Sequence, residues 1–188
     1  MTSTTTSTAL AAVTGTWAID ASHTTIAFSA RHAMVAKTRG RFDEFEGTLV
    51  LDGDDVAAST AELTIQAASL ETKSADRDAH LKSPDFLDVE NFPTLTFATT
   101  AVSHQGGNDF TLTGDLTIHG VTKSVDIAVE LVGVNADPWG GTRIGLEGRT
   151  EISRKDFGLT WNVAIEGGGL LVGDAVKIEL DVEAVKQA

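Results

Sequence analysis

Hydrophobic and polar residues alternate along most of the chain, most regularly between residues 109 and 133. From Phe110 to Ile118 the even positions are apolar or glycine and the odd positions are polar. Because a strand sends successive side chains to opposite faces, this pattern predicts a strand with one buried face and one solvated face. After Gly120 the alternation resumes, with apolar residues at odd positions from Val125 to Leu131. The two runs together predict an antiparallel hairpin.

The same alternation recurs along the chain, near residues 16–20, 24–36, 42–51, 61–67, 95–98, 144–152 and 176–182. We expect a turn at residues 37–41 and a bulge near 43–46, where the spacing departs from two. About eight one-sided strands with mostly short connections are typical of all-β sandwiches and barrels. The strands are long for a sandwich, and the sequence therefore predicts an antiparallel up-and-down barrel of eight strands.

One segment, around residues 74–88, interrupts the strand pattern and predicts a short helical insertion. Ser74 is placed to cap a helix over residues 75–82, and Pro84 to begin a further helical turn. The insertion contains Asp76 and His80, which would share one helix face.

The inward-facing positions of the predicted strands include unusually many small residues: Ala30, Ala61, Ala67, Gly114 and Gly148. A barrel of eight strands has an interior that either is filled by side chains or holds one small ligand. A filled interior would require larger side chains at these positions. We therefore expect an apolar cavity, and the alternative is a barrel that packing fills.

The composition limits the classes of function. A chain of 188 residues is compatible with one domain, expected over residues 15–188 after a polar, disordered lead-in at residues 1–14. The net charge of −13 argues against nucleic-acid binding, which requires cations that neutralise phosphates. It also argues against broad adhesion to anionic membranes, so we expect at most transient membrane contact. The chain has no cysteine, and its first residues do not resemble a signal peptide. We expect a cytoplasmic protein.

No motif in the sequence supports catalysis or metal binding. The five histidines are scattered, without the spacing of a zinc site, and neither a serine-hydrolase nor a phosphate-binding motif is present. Asp76 and His80 could supply a base or metal ligands, but a solvated helix would have the same pattern. The sequence therefore predicts no catalytic residues, no metal and no cofactor.

A group of basic residues, Arg31, Lys37, Arg39 and Arg41, lies within eleven positions of this acidic chain. At the mouth of a barrel this group could receive an anionic headgroup or touch a membrane. The alternative is a charged sheet edge that prevents the addition of further strands.

Several local patterns, taken together, resemble one family. They are WAID-ASH, Phe28 with His32, RGRFDEFEG, RDAHLKSPDFLDVENFP, LTGDLTIHGVTK and RKDFGLTW. In this order they resemble the YceI-like family of lipocalin-like proteins, which are associated with polyisoprenoid and other long-chain lipid binding. The resemblance extends from about Thr16 to Glu183. Thr24 replaces a serine that is common in the family, and many members are exported, whereas the first residues of this sequence do not resemble an export signal.

The resemblance implies an extended barrel with a helical insertion, often dimeric, that holds a long apolar chain. It therefore implies a binding protein for transport, storage or sequestration, with a lipid ligand and a homodimeric assembly. The ligand expected is an isoprenoid quinone, a polyprenyl phosphate or a fatty-acid derivative. The alternatives are a hydrolase or isomerase that uses His32 or the Asp76/His80 pair, and a filled barrel with a stress-related interaction role.

We predict two groups of ligand-binding residues. Arg31 and His32 are the candidates for contact with a headgroup. The predicted lining of the cavity consists of apolar side chains on the inward faces of the strands, together with one tryptophan: Ile26, Phe28, Phe42, Leu63, Ile65, Leu95, Phe97, Phe110, Leu112, Leu116, Ile118, Ile127, Val129, Leu146 and Trp161.

Overall fold

A computed structural model describes residues 10–188, which form one antiparallel sheet, the helix α1 (Ala75–Lys82) and short 3-10 helices at Val56–Ala58, Ala67–Ser69 and Arg154–Phe157. Residues 1–9 of the predicted lead-in lie outside the described residues. The strands are β1 (Gly15–Ile19), β2 (Thr25–His32), β3 (Ala36–Phe42), β4 (Phe45–Leu51), β5 (Thr60–Gln66), β6 (Leu70–Glu71), β7 (Thr94–Gly106), β8 (Asp109–Ile118), β9 (Val121–Ala136), β10 (Thr142–Ser153) and β11 (Val172–Lys186).

The sheet closes into a barrel because β1 pairs with both β4 and β11. The closed ring follows the order β1-β4-β5-β7-β8-β9-β10-β11, which is eight strands. The other three strands continue strands of this ring across a short break in the pairing. β2 continues β1, β3 leads into β4, and β6 continues β5. The predicted eight-stranded antiparallel barrel with a helical insertion is confirmed, and the central hairpin pairs β8 with β9.

The break between β1 and β2 is held by Thr24. Its Oγ1 accepts a hydrogen bond from the Glu183 backbone N–H at 3.0 Å and donates one to the Glu183 carbonyl at 3.1 Å. The hydroxyl thus replaces a missing pair of backbone ladder bonds. A serine hydroxyl is able to make the same two bonds, so the replacement of the family's serine by Thr24 preserves this link.

The turn between β2 and β3 differs from the prediction. The sequence predicts a turn at residues 37–41, whereas these residues continue β3, and the chain reverses at Ala33 and Met34. Both residues have positive φ, 49° and 62°, and the Val35 N–H closes the turn on the His32 carbonyl at 3.1 Å. Residues other than glycine, asparagine and aspartate seldom adopt this conformation, so the sequence gives little sign of the turn.

The helical insertion occupies its predicted position, but Ser74 does not cap α1 with its side chain. Instead, the Ser74 backbone carbonyl accepts the Asp78 N–H at 2.9 Å. The side chains of Leu81, Phe86 and Leu87 from this region pack on the barrel.

The two ends of the barrel are different. At the plugged end, where β1 begins and β11 ends, Trp17, Ile144 and Ala184 are buried with essentially no exposure. Val13 is also buried there and accepts a hydrogen bond from the Trp17 indole N–H at 2.8 Å, so this part of the expected lead-in packs against the barrel. The opposite, helical end carries α1 and the turn at Ala33 and Met34.

Within residues 10–188, the helices are too short or too polar to cross a membrane.

Candidate functional site: an apolar cavity in the barrel

The interior of the barrel contains a cavity of about 260 Å³. Its wall is formed by the inward faces of the strands and, at the helical end, by residues of the insertion and of the loop between β10 and β11. A smaller cavity of about 80 Å³ lies at the plugged end. Leu49, Ala61, Leu112, Val129 and Leu146 contribute to the walls of both, so a single layer of side chains lies between the two spaces.

Most of the residues that the sequence analysis assigns to the lining do lie in the wall of the larger cavity. These are Ile26, Phe28, Phe42, Leu63, Ile65, Leu95, Phe97, Leu112, Leu116, Ile118, Ile127, Val129 and Leu146. They share inward positions on regular strands, where the alternation of the sequence directly gives the face on which a side chain lies.

The small inward residues contribute unequally to the empty space. Ala30, Ala61 and Gly148 lie in the cavity wall. Gly114 has a different role, because the ring of Phe97 occupies the position that a side chain at residue 114 would need. Ala67 is fully buried within the hydrophobic cluster at the helical end. The cavity therefore arises from some of these residues only.

Four predicted binding residues lie outside the wall of the larger cavity. Phe110 lines the smaller cavity. Trp161 lies in the β10–β11 loop and packs its ring on His80, at 4.6 Å between centroids, and on Phe86, at 5.3 Å. Arg31 and His32 are exposed at the end of β2.

The pairing of Asp76 with His80 is replaced by another contact. His80 Nε2 lies 2.9 Å from Asp85 Oδ2, and Asp76 is exposed. The His80 ring also packs edge-on against Trp161 and Phe86, which contact each other. His80 therefore links the insertion to the β10–β11 loop.

Arg154 is a wall residue that the sequence analysis missed. It is buried at the helical end of the cavity, just after β10. Its even number continues the inward parity of Ile144, Leu146 and Ile152, so the alternation contained the signal for its orientation. The residues Leu81, Phe86 and Leu87 of the insertion were missed because no strand periodicity extends to them.

The Arg154 guanidinium is bound by backbone carbonyl groups. Nε donates to the Gly173 carbonyl at 3.0 Å, Nη1 to the Leu159 and Trp161 carbonyls, and Nη2 to the Val172 carbonyl at 3.3 Å. Among residues 10–188, no carboxylate oxygen lies within 4.0 Å of it. Burial lowers the pKa of Arg154, and the charge of Asp174 partly opposes this effect. The group still remains protonated at neutral pH, because arginine does not titrate in proteins.

A cluster of potential metal ligands lies on the outside of the barrel, at the break between β1 and β2. Ligand atoms of Asp20, His23 and Glu183 lie within 4.8 Å of one another. Arg143 already occupies this cluster, since its Nη1 donates to Asp20 Oδ2 at 2.8 Å and to Glu183 Oε1. A guanidinium at these oxygens supplies the positive charge that a cation would bring, so the cluster is an ion-pair network.

An eight-stranded antiparallel barrel around an apolar cavity is a lipocalin-like architecture. Comparison with known families gives the specific group: residues 17–184 match the YceI-like domain, and the chain belongs to this family. The predicted family is therefore confirmed.

The relatives agree with this assignment. A "UPF0312 protein" of Shewanella denitrificans is 39% identical over 165 residues, which are 88% of this chain and 83% of the relative. The crystal structure of Burkholderia cenocepacia BcnA has a TM-score of 0.76 with 24% identity, covering 88% of this chain and 98% of BcnA. A polyisoprenoid binding domain from Saccharophagus degradans, implicated in plant cell wall breakdown, has a TM-score of 0.69 with 16% identity, covering 91% and 98%.

Proposed function

We propose that this protein binds the apolar chain of one long-chain amphiphilic lipid inside the barrel, for transport, storage or sequestration. The ligand class is a polyisoprenoid, such as an isoprenoid quinone or a polyprenyl phosphate, or a fatty-acid derivative. The observation that carries the proposal is the cavity of about 260 Å³, whose wall is formed almost entirely by aliphatic and aromatic side chains. The fold shared with the polyisoprenoid binding domain of S. degradans supports the same ligand class.

Burial of an apolar chain supplies the binding energy. Each methylene group removed from water contributes about 0.8 kcal/mol. Ordering a flexible chain offsets part of this gain. Since the wall offers few directional contacts, the site selects chains by width and length more than by chemical detail.

We propose that the lipid lies with its tail toward the plugged end and its headgroup toward the helical end. Trp17, Ile144 and Ala184 fill the plugged end with apolar side chains, which disfavours a polar group there. Arg154 places a buried positive charge at the helical end, and a phosphate, a carboxylate or a quinone oxygen is attracted to such a charge in a low-dielectric site. Arg154 is the headgroup candidate in the cavity wall, and the contact of Arg31 and His32 with a headgroup stays a prediction.

The proposal is for a binding protein and not for an enzyme. The bases considered for a hydrolase or isomerase lie away from the cavity wall: His32 is exposed at the end of β2, and His80 is held by Asp85 and two rings. Within the part of the chain that the structure describes, the cavity wall includes no histidine.

A competition series tests the proposal. The protein is loaded with an environment-sensitive apolar dye, and alcohols and phosphates of isoprenoid chains of increasing length are added as competitors. Affinity is expected to rise with each added isoprene unit and then to level off once the cavity is full. A protein that neither takes up the dye nor binds any chain of the series would contradict the proposal.

Homodimerisation and a cytoplasmic location stay predictions. Light scattering on the purified protein and fractionation of the producing cells measure them directly.

A further inference from the structure

The helical end of the barrel presents an exposed apolar surface. Met34 is 63% exposed and Val35 is 83% exposed at the β2–β3 turn, and Val163 and Leu170 are exposed on the adjoining loop. The two segments are joined, because the Ala33 N–H donates to the Leu171 carbonyl at 2.7 Å. We refer to Met34, Val35, Val163 and Leu170 as the tip surface.

The turn that carries the tip surface is held in an unfavourable conformation. Ala33 and Met34 both have positive φ, which asparagine and glycine adopt more readily. An Asn-Gly pair would make the same turn with less strain and a polar surface. Residues held in such strained backbone conformations cluster at functional sites.

Exposed cations flank the tip surface. Arg31 and Lys37 lie opposite each other on β2 and β3 close to the turn, and Arg39 lies two residues farther along β3. Among residues 10–188, none of the three forms an ion pair within 4.0 Å. Glu166, exposed on the adjoining loop, offsets part of this charge. The positive group stands out in a chain with a net charge of −13.

Protection of a sheet edge explains part of this pattern. The side of β3 that faces away from β2 pairs with β6 at Arg41 and Phe42, so Lys37 and Arg39 lie on an open edge, where cations prevent strand addition. Edge protection does not explain exposed apolar side chains at the turn, however. An apolar tip surrounded by cations matches an anionic bilayer, into which apolar groups insert while cations contact the headgroups.

We propose that the tip surface docks this protein onto bilayers that contain anionic lipids, with the helical end of the cavity toward the membrane. A symmetric dimer through the same surface is disfavoured, because it would place the cations of the two copies against each other. The step from docking to lipid loading rests on the proposed function, whereas docking itself can be measured alone.

Flotation with vesicles of phosphatidylcholine, with or without phosphatidylglycerol, tests this proposal. The vesicles contain no isoprenoid and no free fatty acid, which are the ligands proposed for the cavity. The wild-type protein is expected to float with the anionic vesicles and much less with the neutral ones. Combining Met34→Asn with Val35→Ser should reduce the partition coefficient about tenfold or more. Asparagine tolerates positive φ, so this variant should keep its melting temperature.

The matched control is Trp139→Ser. Trp139 is 84% exposed in the loop at the plugged end, so this variant removes an equally exposed apolar side chain from the other end of the barrel. It should float like the wild type. Replacing Arg31, Lys37 and Arg39 by glutamine should weaken the partition about fivefold per charge removed, whereas Arg149→Gln, on the outer face of β10, should change it little.

Three results would overturn docking at this surface: no flotation with anionic vesicles, equal flotation with neutral vesicles, or equal losses for the tip variant and Trp139→Ser. Loss of a dimer in the tip variant with unchanged flotation would also overturn it and assign the surface to self-association. Flotation without uptake of either isoprenoid or fatty-acyl chains in solution would contradict the proposed function alone. Uptake in solution without flotation would contradict docking alone.

Discussion

Arg143 donates a hydrogen bond from Nη1 to Asp20 Oδ2 at 2.8 Å, joining residues that are 123 positions apart in the sequence. The same guanidinium bonds to Glu183 on β11 and to Asp137 in the β9–β10 loop. The three carboxylates thus meet at one cation at the break between β1 and β2. The network holds the interrupted strand against β10 and β11.

The network predicts a pH-dependent contribution to stability. Hydrogen bonds from the Ser22 side chain, from Arg143 and from His23 lower the pKa of Asp20 below its ordinary value of 3.8. Between the lowered and the ordinary pKa the unfolded state binds more protons, so the free energy of unfolding rises with pH in this window. The contribution is complete above about pH 5 and is lost as the pH falls below 4.

Asp20→Asn should therefore lower the free energy of unfolding by about 1–3 kcal/mol at pH 7, and by less as the pH falls. Urea denaturation at several pH values measures the difference. The control is Asp54→Asn, at an exposed carboxylate in the β4–β5 loop, which should change stability little at any pH. A difference between Asp20→Asn and wild type that grows in acid would contradict this account.

An unfilled interior predicts that a larger side chain is tolerated. Val129 lines both cavities, and Val129→Phe should occupy space that is otherwise empty. Its free energy of unfolding should stay within about 1 kcal/mol of wild type, whereas overpacking of a filled core costs about 1–3 kcal/mol. Its affinity for a long isoprenoid should fall at least tenfold.

Ala128→Phe is the matched control for this experiment. Residue 128 is exposed on the outer face of β9, beside Val129 in the sequence, so the variant adds an aromatic ring outside the barrel. It should retain the wild-type affinity. Equal losses of affinity in the two variants would place the binding site elsewhere.

Removal of the Arg154 guanidinium should have a large effect on stability. Arg154→Met removes the guanidinium donor from the Gly173, Leu159 and Trp161 carbonyls, whereas the Val172 carbonyl keeps its bond from Asn162 Nδ2 at 2.7 Å. Each acceptor left unpaired carries a desolvation cost. We expect a loss of about 2–5 kcal/mol in the free energy of unfolding, measured in urea. Arg149→Met, at an exposed site on β10, should cost less than about 0.5 kcal/mol. Equal effects of the two changes would contradict the role of Arg154 in holding the β10–β11 loop.

Trp161 is a natural reporter at the helical end. It packs on Phe86, which lines the cavity, whereas Trp17 is buried in the plugged end. Addition of an isoprenoid with a polar headgroup should change the tryptophan emission, and this change should disappear in Trp161→Phe and persist in Trp139→Phe. A change that survives Trp161→Phe would argue for entry of the headgroup at the plugged end.

The alternation of the sequence predicts the strands, the barrel and most of the wall, because the face of a residue on a regular strand depends only on its parity. Ile118 and Leu146 are examples. Parity does not predict the surroundings of a residue when contacts with distant parts of the chain determine them. The ring of Phe97 fills the space beside Gly114, and Trp161 packs on the insertion instead of the cavity. Arg154 shows an intermediate case, since its parity predicts that it points inward, whereas its carbonyl partners depend on the folded loop.

Native mass spectrometry of the purified protein, followed by extraction and identification of any released lipid, tests the central claim most directly. The account predicts one long-chain lipid per chain, or stoichiometric uptake of a polyprenyl or fatty-acyl chain by protein that is purified empty. Protein that is empty and takes up neither kind of chain would contradict the account and would favour a barrel whose interior has no ligand.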